Sequence, residues 1–176
     1  VLITTTAFAI GVIRMGRQNC LINELPAIEG LARVDVVCAD KTGTLTDNLT
    51  LVREVIRLDG GSQVDLALAA LARADRNPNA SLRAIGASFP IDPEWRLVHQ
   101  LPFSSERKFS AATFQGHGTW LLGAADVLLP PDSEVRGQAE RISAAGERVL
   151  LLAITTELPR SSIPAVVEPQ ALIILG

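Results

Sequence analysis

The sequence predicts an α/β fold in two interleaved parts. A domain built on a parallel sheet begins, is interrupted by a mixed α/β module of roughly 120 residues, and resumes at the last strand. Three observations predict this plan. Val34-Asp35-Val36-Val37-Cys38-Ala39 is a short apolar, β-branched run that ends abruptly in Asp40, Lys41, Thr42, Gly43 and Thr44, the pattern of a buried parallel strand followed by a polar loop. Ala171-Leu172-Ile173-Ile174-Leu175 is a second run of the same kind, placed after a proline-bearing stretch at 159–169 that reads as a linker. Between the two, helical and strand patterns alternate with turn signals and no internal repeat.

Composition supports a folded core. The chain has 176 residues, 48% of them hydrophobic, with a net charge of −3. That excludes disorder and makes nucleic acid an unexpected partner. Cys20 and Cys38 lack metal-like or Cys-x-x-Cys spacing and read as reduced, structural thiols, with Cys38 inside the expected strand. His99 and His117 have no partners at ligand spacing and are expected at the surface or in a turn. Trp95 and Trp120 are expected in the core. Of 16 basic residues only Lys41 and Lys108 are lysine, and both fall inside the two motifs described below. An ammonium and a guanidinium are not interchangeable at a phosphate.

In chain order, Val1 to Ile13 is an apolar run followed by Arg14 and Arg17. It is shorter than the roughly 20 residues a bilayer requires, and reads either as a buried helix or as the cytoplasmic end of a membrane helix with a positive-inside boundary. Pro26 suits the first turn of a short helix that Gly30 loosens. Leu49 to Leu58 reads as a strand closed by the turn Asp59-Gly60-Gly61, Val64 to Ala74 as a helix, and Asn79 to Phe89 as a second helix after the Asn77-Pro78 break. Strands are expected at 97–101, 109–114 and 120–122, with Gln115-Gly116-His117-Gly118 closing a hairpin. Ser133 to Ala145 reads as a helix and Arg148 to Thr155 as a buried strand.

Asp40 lies just beyond the carboxyl end of its expected strand, where chemistry collects in open α/β sheets. A carboxylate there can attack a phosphoryl group and form an aspartyl phosphate. Lys41 offsets the charge of the arriving phosphate, and Gly43 lets backbone N–H groups turn towards it. Thr44 adds a hydroxyl donor, while the Asp40 carboxylate and the Thr42 carbonyl suit Mg²⁺. The plainer alternative is a Gly-Thr turn in which Asp40 only caps the next segment.

The whole string Asp40-Lys41-Thr42-Gly43-Thr44-Leu45-Thr46 resembles the phosphorylation signature of the P-type ion-pumping ATPases at every position. The resemblance implies that Asp40 accepts the γ-phosphate of ATP during cation transport. The related soluble phosphatases of the haloacid dehalogenase superfamily usually carry a second aspartate where this chain has Thr42. Threonine activates water poorly, so the acyl phosphate would live longer. A soluble phosphatase or phosphotransferase, and a nucleotide-binding module without chemistry, remain the alternatives.

Leu101-Pro102-Phe103-Ser104-Ser105-Glu106-Arg107-Lys108-Phe109-Ser110 is similar to the Phe-Ser-x-x-Arg-Lys segment of the nucleotide-binding domain in calcium- and sodium-type pumps. By that resemblance Phe103 stacks on adenine and Lys108 lies towards the charged side of the nucleotide. From the residues alone, Phe103 can equally be a core aromatic and Arg107-Lys108 a solvated strand end. Leu122-Gly123-Ala124 resembles the Lys-Gly-Ala of the adenine pocket, with Leu122 in place of the usual lysine. Gly146-Glu147-Arg148-Val149-Leu150 resembles a segment whose arginine, here Arg148, approaches the phosphates.

The resemblance implies an α/β fold: a truncated haloacid-dehalogenase-like (Rossmann-type) phosphorylation domain with an inserted α+β nucleotide-binding domain built on an antiparallel sheet. The cytosolic end of a membrane or stalk helix is expected at 1–17 and the first part of the phosphorylation domain at 18–48. The nucleotide-binding domain is expected at 49–168, and the second part of the phosphorylation domain starts at 169–176. ATP and Mg²⁺ are the implied cofactors. The transported cation would be bound by membrane helices outside this sequence, in a protein of the cell membrane with this part on the cytoplasmic side. Two further aspartate loops that complete the family's site do not occur here, so the expectation is a piece that binds ATP without turning it over. The inserted module has no His-Pro dipeptide, which argues against the heavy-metal pumps.

Overall fold

The computed structural model describes residues 2–24, 26–31, 33–40, 44, 49–58, 63–160 and 162–176. The chain divides into two compact units, Val1–Asn48 and Leu49–Gly176. In the first, helix α1 spans Leu2–Gly16 and helix α2 spans Pro26–Leu31. A methyl group on Gly11 would lie 3.2 Å from Ile28 Cδ1, so the missing side chain gives the isoleucine of α2 its place against α1. Among the described residues no helix is long and apolar enough to cross a membrane.

The strand expected at 34–39 is not found. Residues 33–40 have no ladder partner among the described residues, and Val34, Val36 and Val37 are 53, 72 and 81% exposed. A buried parallel strand needs neighbouring strands and covering helices, and the described residues of this unit supply only two helices. Cys20 and Cys38 are correspondingly free and exposed, rather than structural thiols of a core.

The second unit is a six-stranded sheet in the order β1-β6-β5-β4-β3-β2, antiparallel at every pairing. Its strands are β1 (Val52–Arg57), β2 (Leu97–Leu101), β3 (Phe109–Phe114), β4 (Gly118–Gly123), β5 (Arg148–Thr155) and β6 (Glu168–Leu175). Helices α3 (Val64–Ala74) and α4 (Ala80–Ser88) precede β2, and α5 (Ala125–Leu128) and α6 (Glu134–Ala144) lie between β4 and β5. Alternation along the strands sorts the side chains into two cores. Ala112, Phe114, Trp120, Leu122, Leu152 and Ile173 pack with Val64, Leu68 and Ile85 of α3 and α4. Phe109, Ala111, Leu121, Leu151, Ala153 and Leu172 pack with Ala125, Leu128 and Ala139 of α5 and α6. The sheet is thus the middle of three layers.

The strand expected at 171–175 exists, but its direction and neighbours differ from expectation. It is antiparallel and paired on both sides, with β1 and β5, inside the same compact unit as residues 49–168. A central strand covered by helices on both faces has the same unbroken apolar run as a parallel one, so the run does not encode direction. The 159–169 stretch is tied back: Glu157 Oε1 accepts the backbone N–H of Ala165 at 2.7 Å and of Val166 at 3.3 Å.

Elsewhere local signals and structure agree. Asn79 caps α4 by accepting the Leu82 N–H at 2.9 Å, and Ser133 accepts the Arg136 N–H at the start of α6. Gly116 and Gly118, at φ of 79° and 77°, bracket His117 in the β3–β4 turn, where non-glycine residues would be strained. His117 stacks on Trp95 at 4.1 Å, and Trp95 in turn leans on Phe114 and on the buried Trp120. The expected turn at 59–61 lies outside the described residues. The four-residue α5 was not anticipated, because one helical turn leaves no periodicity to read.

Candidate functional site

The connection from β2 to β3, residues 102–108, is a loop closed on itself. Lys108 donates its backbone N–H to the Ser104 carbonyl at 2.8 Å, and Glu106 donates to the Ser104 hydroxyl at 3.3 Å. The Arg107 guanidinium donates across the loop to the Pro102 carbonyl at 2.6 Å. Lys108 itself has a φ of 58°, an uncommon conformation for a residue with a side chain, which turns the chain into β3. Phe103, at the tip, is 45% exposed.

The ring borders a pocket of about 320 Å³, large enough for a purine ring system and lined mainly by carbon. Leu122 and Gly123 enter from the end of β4, Arg148 and Leu150 from the start of β5, Ser110 from β3, and Asn79 to Leu82 from the first turn of α4. Phe103 also borders a more polar cavity of about 460 Å³, lined by Asp75, Arg76, Asn77, Asn79, Gln100 and Pro102. The ring therefore stands between two open volumes.

The fold brings Phe103, Gly123 and Arg148 together on one cavity, although the sequence separates them widely. Lys108 and Ala124 do not line it. Lys108 Nζ is 3.9 Å from Asp126 Oδ2, and Ala124 donates its N–H to the Lys108 carbonyl at 3.1 Å as α5 begins. Leu122 presents an apolar side chain to the pocket where the resembling motif carries a cation.

The glycine at 123 has a reason inside the chain. A Cβ there would collide with Phe109 Cβ, and would fall 2.7 Å from the Lys108 carbonyl oxygen and 2.8 Å from Phe109 Cα. Gly123 pairs directly with Phe109 across β3 and β4, so its missing side chain admits the neighbouring strand. Close packing of the two strands is by itself a sufficient reason for this glycine.

At the other motif, Asp40 and Thr44 are described and both are exposed. Lys41, Thr42 and Gly43, together with Leu45 and Thr46, lie outside the described residues. Among the described residues no group of three or more His, Cys, Asp or Glu side chains could hold a metal ion.

Sequence reasoning missed the contribution of Asn79 to Leu82. Asn79 carried a helix-start signal, which says where a helix begins but not what its first turn faces.

Comparison with known proteins then supplies the lineage. No family model matches the chain. The calcium-transporting ATPase CtpE of Mycobacterium bovis is 54% identical over 179 residues, covering 99% of this chain and 22% of that protein. Its namesake in Mycolicibacterium smegmatis is 51% identical over 99% of this chain. The probable cation-transporting ATPase exp7 of Streptococcus pneumoniae is 37% identical over 89%. A crystal structure of a zinc-transporting PIB-type ATPase has the same fold, with a TM-score of 0.67, covering 98% of this chain and 26% of that one at 23% identity. The chain belongs to the cation-transporting P-type ATPases. It spans about a fifth of the length of the curated relatives it matches.

Gly123→Ala should destabilise the chain by about 1–3 kcal/mol, because the backbone of β3 must move to admit one methyl group. Urea unfolding checks this, and an unchanged midpoint would contradict the close packing of Gly123 on Phe109.

Proposed function

We propose that the unit at 49–176 binds ATP, with the adenine in the pocket beside Phe103 and the phosphates towards Arg148. The observation that carries this reading is the convergence of Phe103, Gly123 and Arg148 on one apolar cavity of about 320 Å³. A flat ring at the rim offers a stacking face, and the guanidinium of Arg148 offers a planar fork for phosphate oxygens. Lys108 adds positive charge at the foot of the same loop. With Leu122 apolar, the pocket supplies one cation fewer than the resembling motif, and the affinity of this chain is expected near millimolar, about 4 kcal/mol.

In the complete protein, Asp40 attacks the γ-phosphorus of ATP. An aspartyl phosphate forms and ADP leaves, and this drives a cation across the membrane in which the protein resides. Lys41 and Thr44 hold the transferred phosphoryl group, and Gly43 lets backbone N–H groups face it. The Asp40 carboxylate and the Thr42 carbonyl are hard oxygen donors that fit Mg²⁺, which when bound would neutralise phosphate charge. Thr42 leaves no second carboxylate to activate water, which favours a lasting phosphoenzyme over a phosphatase. Ca²⁺ is the ion for which the CtpE relatives are named, and the same cargo is proposed here. Residues 18–48 then begin the phosphorylation domain, 1–17 lead from the membrane on its cytoplasmic side, and β6 completes the nucleotide-binding sheet.

An ATP titration followed by amide NMR tests the binding half of the proposal. Saturable shifts centred on residues 101–124 are expected, with Phe103→Ala weakening binding by about 1–3 kcal/mol. A folded sample that shows no shifts at tens of millimolar ATP would sink it. In the full-length protein, Asp40→Asn should abolish acid-stable labelling by γ-labelled ATP. Undiminished labelling would place the phosphoryl acceptor elsewhere.

A further inference from the structure

We propose that Arg107 is a positioning residue for the nucleotide: by bonding the carbonyl of Pro102 it closes the 102–108 loop and sets the Phe103 ring at the rim of the pocket. The inference rests on reading that pocket as an ATP site. Phe103 borders two cavities and is nearly half exposed, so its placement depends on its backbone more than on packing against its faces. The Pro102 carbonyl belongs to the planar peptide unit that leads into Phe103, and holding that oxygen orients the plane from which the ring projects.

Two of the loop's bonds flank Phe103. The Lys108 N–H bond to the Ser104 carbonyl closes the turn on the far side of Phe103, and the Arg107 bond to Pro102, at 2.6 Å, closes the near side. A charged donor makes the second bond the stronger kind. Arg107 Nε is buried and has no hydrogen-bond partner among the described residues. The end of β4 fixes the foot of the loop, because Ala124 donates to the Lys108 carbonyl and Gly123 sits against Phe109. Arg107 thus connects a fixed foot to the peptide that carries the ring.

A double-mutant cycle tests this, with ATP and adenosine titrated into the whole chain as wild type, Arg107→Ala, Phe103→Ala and both. Arg107→Ala should weaken ATP and adenosine alike by about fivefold, the effect of losing roughly one net hydrogen bond. In the Phe103→Ala background the same change should alter affinity by less than about twofold, since the ring it positions is gone. Weakening of ATP without adenosine would mean a direct phosphate contact and would overturn the proposal. Additive losses, or no loss with Phe103 present, would overturn it too. If Phe103→Ala alone leaves ATP affinity unchanged, the ATP reading of the pocket fails first. Arg107→Lys keeps the charge and a donor without the planar fork; if the alanine variant does not fold, it should show the same coupling with a smaller loss.

Discussion

Gly123 sits so close to Phe109 and to the Lys108 carbonyl that no side chain fits between them. This contact locks the end of β4 to the start of β3 and fixes where the 102–108 loop leaves the sheet. Phe109 is itself buried against Leu121, Leu151 and Leu172, so the lock is anchored in the core shared with α5 and α6. The other core, built on Trp120, Leu122 and Leu152 with α3 and α4, brings the first turn of α4 to the opposite wall of the pocket. The site is the place where a loop, two strand ends and a helix start are held by two separate cores.

The three segments that suggested a nucleotide site therefore divide their work differently from what resemblance implied. Phe103, Gly123 and Arg148 meet at the cavity, whereas Lys108 and Ala124 bind each other's backbone and brace the loop. A short motif can be shared by related chains because it builds the scaffold of a site as well as because it touches the ligand.

Much of the second unit was legible because its signals are local. The helix at 64–74 and the strands at 97–101, 109–114 and 148–155 fall where periodicity and turn residues put them. Asn79 and Ser133 mark helix starts through their own side chains. Strand direction was not legible: Ala171 to Leu175 is apolar on both faces, and that pattern describes burial rather than orientation. The valines at 34, 36 and 37 carry strand propensity, but the described residues give them no ladder to join. At the site, Phe103 and Arg148 could be picked out by chemistry. Asn79 to Leu82 could not, since their part in the pocket depends on how α4 packs across the sheet.

The central claim is that the pocket beside Phe103 receives a purine. The most direct measurement is a transferred nuclear Overhauser experiment between ATP and the chain, with the aromatic and methyl protons assigned. Cross-peaks from the adenine ring protons to the Phe103 ring and to the Leu122 and Leu150 methyls are predicted. Cross-peaks to the Trp95 and Phe114 rings instead, or none to Phe103 under saturating ATP, would contradict it.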